Sequence, residues 1–96
     1  MQMLYRLAFG ITGDGYLRVV GSAEGSPEVS AIHLNDSTFA AIVKAAGLAP
    51  FRTYRLLEAA REARLHPGID ICCEAVELTQ KQLEALCLQT RKARTA

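Results

Sequence analysis

Residues 3–11 alternate without a break: Met3, Tyr5, Leu7, Phe9 and Ile11 fall on one side, Arg6, Ala8 and Gly10 on the other. A period of two sustained this long belongs to a strand with one buried face. The next four residues, Thr12-Gly13-Asp14-Gly15, supply the φ > 0 positions of a tight hairpin. A second strand follows over 16–21, rich in β-formers. Ser22 to Pro27 is polar and punctuated by Gly and Pro, so it reads as a turn, and Val29 to Leu34 reads as a third strand. The simplest assembly is a three-stranded antiparallel meander.

The pattern then switches to the helical period. Asn35 is placed to cap a helix in which Phe39, Ile42, Val43 and Ala46 form one apolar stripe. Leu34 and Phe39 have the spacing of a hydrophobic staple, and Gly47 is a natural stop. A second helix spans 50–65. Pro50 suits its first turn, Thr53, Leu56, Leu57, Ala60 and Ala63 make the inward stripe, and Arg52, Arg55, Glu58, Arg61 and Glu62 lie outside it. His66-Pro67-Gly68 ends that helix.

Ile69 to Leu78 reads as a fourth strand. Ile69, Cys72, Cys73 and Val76 also fit helical spacing, so a helix from about Ile69 is the alternative. A half-repeat favours the strand: Ala31-Ile32-x-Leu34-Asn35 matches Ala75-Val76-x-Leu78-Thr79, and Phe39, Ala41, Ile42 and Val43 match Leu83, Ala85, Leu86 and Cys87. The segments before them do not match, so there is no tandem duplication. Thr79 and Gln82 fit a capping box, Leu78 and Leu83 a staple, and a last helix runs to about Thr90. The order is β-β-β-α-α-β-α. The expected fold is α+β, a four-stranded, mostly antiparallel sheet with helices on one face, in a single domain over 1–90 with a basic tail at 91–96.

Ninety-six residues suit one domain with one modest core. No stretch approaches the ~20 consecutive apolar residues of a bilayer span. The opening Met1 to Arg6 lacks the basic start and long apolar run of a secretory signal. Of the three cysteines, Cys72 and Cys73 are adjacent and Cys87 is alone, a poor disulfide framework. A cytoplasmic location is the expectation. Formal net charge is +1, from eleven basic and ten acidic side chains. That balance does not call for nucleic acid, whose partners carry a stronger basic excess.

Chemistry-bearing motifs are scarce. His33, His66, Cys72, Cys73 and Cys87 are metal-ligating residue types, but adjacent cysteines on a strand point to opposite faces, unlike the spaced pairs of zinc sites. A Cys72 or Cys73 nucleophile would need a nearby base, and no local signature announces one. Gly10 to Gly15 lies between two strands, so it is a hairpin turn rather than a phosphate loop. No cofactor, metal or catalytic site is expected, and the chain reads as a non-enzyme.

Two surfaces remain. The open sheet face would carry Arg6, Tyr16, Arg18 and His33, and could receive a protein partner. Arg52, Arg55, Arg61 and Arg64 of the second helix, with Arg91, Lys92 and Arg94 of the tail, are candidate nucleic-acid contacts. The leading expectation is a small protein-interaction module, a homodimer. Its Ala- and Arg-rich usage suits an accessory regulator or inhibitor encoded by a bacterial or phage mobile element. The alternatives are a nucleic-acid-binding regulator and a small-ligand site around His33 or Cys73.

Overall fold

The computed structural model describes residues 2–73 and 75–87. Their order is β1 (Gln2–Ile11), β2 (Leu17–Ser22), β3 (Val29–His33), α1 (Asp36–Ala45), α2 (Pro50–Leu65), β4 (Ile71–Cys72), β5 (Val76–Thr79) and α3 (Gln80–Cys87). This is an α+β fold: an open antiparallel sheet in the order β3-β2-β1-β4, with β5 also paired to β1. The helices pack on one face of the sheet.

The long alternating segment became the central strand because it can satisfy a neighbour on each edge while burying one face. Tyr5, Leu7 and Phe9 are buried there, beside Leu17 and Val19 of β2 and Val76 and Leu78 of β5. The β1–β2 turn closes with Gly15 amide to Thr12 carbonyl at 2.9 Å, and Gly15 takes φ +90°, a conformation that favours glycine. Arg64 of α2 donates to the Gly15 carbonyl at 2.7 Å and pairs with Asp36 at 2.9 Å, tying hairpin, α1 and α2 together.

The expected fourth strand is split. Ala8 and Phe9 pair with Cys72 and Ile71, whereas Tyr5 and Met3 pair with Val76 and Leu78. Between those pairs the edge has one residue more than β1, so the register slips by one, as in a β-bulge. The helical alternative from Ile69 is not adopted. The bulge lets Val76 and Leu78 face the core although Cys72 faces outward.

Helix starts follow the capping chemistry. The Asn35 side chain accepts from the Thr38 amide at 2.8 Å. The Thr79–Gln82 box is reciprocal: the Thr79 amide donates to Gln82 Oε1 at 3.0 Å and the Gln82 amide to Thr79 Oγ1 at 3.1 Å. Gln82 Nε2 also donates to the Ala46 carbonyl at the end of α1, at 3.0 Å. The Leu34–Phe39 staple is not made: Leu34 is 65 % exposed while Phe39 is buried. In α2 the buried residues are Leu56, Ala59, Ala60 and Ala63, with Thr53 and Leu57 at the margin.

Candidate functional site: the outer face of the sheet

The face of the sheet away from the helices is built from the alternate residues of each strand. Arg6 pairs with Ser22, Ala8 with Val20 and Gly10 with Arg18 along β1–β2. On β3, Ser30 stands beside Val20 and Ile32 beside Arg18. On the other edge Cys72 stands beside Ala8, and Glu77 beside Leu4. Arg6, Tyr16 and Arg18 are exposed on this side, together with Leu4, Ile32 and Leu34. In its middle the small residues Ala8, Val20, Ser22, Cys72 and Ala75 floor a shallow dish of about 460 Å³, with Arg6 and Glu28 on its rim.

His33, expected on this face, is on the opposite one. The ladder pairs it with Leu17, and it is 1 % exposed in the core. The parity of β3 is therefore shifted by one from the expectation, which also explains why Leu34 faces outward instead of stapling onto Phe39. His33 Nε2 lies 2.8 Å from the Leu86 carbonyl in the last turn of α3, and the ring meets Phe39 edge to face at 5.0 Å. A carbonyl oxygen only accepts, so Nε2 carries the proton and Nδ1 is bare. Nδ1 is buried and has no partner among the described residues. Burial lowers the proton affinity of the ring, with the Leu86 bond opposing it.

The helical arginines do not assemble into one strip. At about 100° per residue, Arg55 and Arg64 flank opposite sides of the buried stripe of α2, and Arg61 faces away from it. Arg55 lies over the Phe51 ring at 5.5 Å, and Arg64 is engaged with Asp36 and Gly15. Arg52 and Arg55 border a crevice with Leu56, Cys73 and Val76 of about 10 Å³. That is the lower bound for one water molecule, not room for a metabolite. Arg91, Lys92 and Arg94 lie outside the described residues.

The cysteines take three environments. Cys72 is exposed on the outer face, Cys73 is half-buried with its thiol 3.8 Å from the Arg55 carbonyl, and Cys87 is buried. Burial pushes the Cys87 thiol up to about 12, which keeps it protonated and unreactive. Among the described residues, no three His, Cys, Asp or Glu side chains come together as a metal site. No helix among them is long and apolar enough to cross a membrane.

What the sequence reading missed is the dish. Its floor is made of small residues from strands distant in sequence, and only the β1–β4 pairing brings Cys72 next to Ala8. The one signal available was the small, uncharged alternation of Ala8 and Gly10 on β1. Neither a protein-family model, nor a curated protein, nor a solved structure matches the chain, so its functional reading rests on this geometry.

Proposed function

We propose that the chain is a small non-enzymatic protein-interaction module that works through the outer face of its sheet. The observation that supports this is the composition of that face: a dish floored by Ala8, Val20, Ser22 and Cys72, with Leu4 and Ile32 exposed on the strands to either end of it and Tyr16 and Leu34 exposed just past the ends of β2 and β3. An antiparallel sheet can leave one face to water, but such a face is then ordinarily polar. Large apolar side chains around a shaped hollow are the pattern of a surface that is covered in use. The mixed charges of the face, Arg6 and Arg18 with Glu28 and Glu77, suit a protein surface better than a run of phosphates.

A photo-crosslinking amino acid at Tyr16, introduced in cells of the chain's own source, tests the reading. A discrete protein adduct is expected, lost when Val20→Asp puts a charge into the dish, and absent when the crosslinker replaces Tyr54 on α2. Equal labelling from both positions, or adducts that are mainly nucleic acid, would overturn it.

A further inference from the structure

Apart from Glu77, which stands beside Leu4, the charges of the strands on the outer face form two rows, and each row holds both signs. In the first, Ile32, Arg18 and Gly10 stand side by side. Asp70 continues that row, because Ile71 pairs with Phe9 and Asp70 Oδ1 lies 2.6 Å from where a Cβ on Gly10 would sit. In the second, Arg6 stands beside Ser22, and Glu28 follows because Val29 pairs with Gly21. Between the rows runs the small, uncharged line Cys72, Ala8, Val20, Ser30. Both arginines sit on the two middle strands and both carboxylates at the two edges. The ion pairs between described residues, Arg64–Asp36 and His66–Glu62, do not involve this face.

That layout is complementary to itself. Turn a second copy over about an axis running along the strands between β1 and β2, and β1 of one copy lies on β2 of the other. Arg18 then meets the copy's Gly10 beside its Asp70, and Arg6 meets the copy's Ser22 beside its Glu28. The two-fold makes every such contact twice. Ser22 leaves room for the Arg6 stem, the Asp70 carboxylate over Gly10 stands where the Arg18 guanidinium arrives, Arg6 fills the hollow of the facing dish, and Ala8 meets Val20 at the centre. A uniformly acidic partner would gain the arginines but be repelled by Glu28, Asp70 and Glu77. A second copy sets each arginine beside a carboxylate, Arg18 by Asp70 and Arg6 by Glu28, and these contacts outnumber the one arginine pair that meets across the axis in each row.

We infer that the occupant of the outer face is a second copy of this chain, packed sheet against sheet in a symmetric dimer. This rests on the interaction-module reading and names its partner. Four strands at ~4.8 Å spacing and about eight residues at ~3.4 Å rise make a face of roughly 19 by 27 Å. Two such faces bury on the order of 1,000 Å² in projection, the lower bound for a specific interface. The dimer is therefore concentration-dependent, and the arginine–carboxylate contacts decide whether it forms.

Sedimentation velocity of the purified chain, from micromolar to submillimolar loading, shows the dimer directly. Arg18→Asp and Asp70→Arg should each weaken it by roughly tenfold or more, while circular dichroism shows both variants folded. Mixing the two should restore a dimer, seen as a heterodimer by native mass spectrometry, because each aspartate again faces an arginine. Should Asp70→Arg fail to fold, Arg6→Asp with Glu28→Arg makes the same test on the other row. A wild-type monomer at every concentration, variants that dimerise like wild type, or a mixture that stays monomeric overturns the inference. If the chain is monomeric yet the crosslinker at Tyr16 captures a different protein, the dimer fails and the module reading stands. If neither a dimer nor an adduct forms, both fail.

Discussion

His33 stands 1 % exposed in the core, on the same side of β3 as Val29 and Ala31. In Val29-Ser30-Ala31-Ile32-His33, hydrophobicity alone sends Ile32 inward and His33 outward. The structure does the reverse, because a buried imidazole is acceptable once its N–H finds the Leu86 carbonyl, an acceptor supplied by α3. No local pattern reports a partner that distant in sequence. This placement has a pH consequence. Burial holds the folded-state proton affinity of His33 below the ordinary value of 6.5, so the unfolded chain binds a proton more readily. The contribution is thus fully present above about pH 7, shrinks as pH falls through 6.5, and levels off below the folded-state value. We expect the urea midpoint to drop between about pH 7.5 and pH 5.5, and His33→Leu to flatten that drop. At the higher pH the same variant should cost about 1 kcal/mol for the lost hydrogen bond. An unchanged pH slope in His33→Leu would show that other groups set it.

At the level of elements, the helices were readable because their signals are local. The Asn35 cap, the Thr79–Gln82 box and the proline at the start of α2 act within one turn, and each is found where the sequence puts it. How the elements meet was not readable. Arg64 has the spacing of a solvated helical residue, yet it joins the hairpin carbonyl of Gly15 to Asp36 at the start of α1. Both side chains of that pair are partly exposed, 37 % and 44 %. Solvent screening therefore limits the loss in Arg64→Ala to about 1 kcal/mol, read as a lower melting temperature. Raised salt should narrow the gap to wild type. The seat of α3 is more demanding. Leu83 and Cys87, one turn apart, straddle Gly21, and a Cβ there would lie 3.2 Å from Cys87 Sγ and 3.3 Å from Leu7 Cδ2. Squeezed between helix and neighbouring strand, Gly21→Ala should lose about 1–3 kcal/mol by overpacking. Cys87→Ala opens the helix side, so the double variant should be more stable than the summed single losses by roughly 0.5–1 kcal/mol. Strict additivity in a urea-denaturation cycle would place the clash elsewhere.

On the scale of the whole molecule, the two edges of the sheet differ. β3 is a regular strand of five residues, whereas the opposite edge is broken into β4 and β5 by its extra residue. The continuous run Ile69 to Leu78 made a strand legible but not its interruption, because a bulge is fixed by the register that both halves must hold against β1. On one side of the slip Ile71 must face the core opposite Phe9; on the other, Val76 must do so opposite Tyr5. Those requirements differ by one residue, and the bulge absorbs the difference. Deleting Ala75 removes the extra residue and leaves both registers intact, so folding stability should stay within about 1 kcal/mol of wild type. The deletion would also turn the edge into one unbroken strand, and a bulge is one of the devices that keep an edge from pairing with another chain. The expected outcome is a folded variant that forms larger species with time and concentration. Those species should persist when Arg18→Asp is added, because edge pairing does not use the outer face. If the deletion instead unfolds the protein, the extra residue carries packing as well as register; if it folds without aggregating, the edge is protected by something other than the bulge.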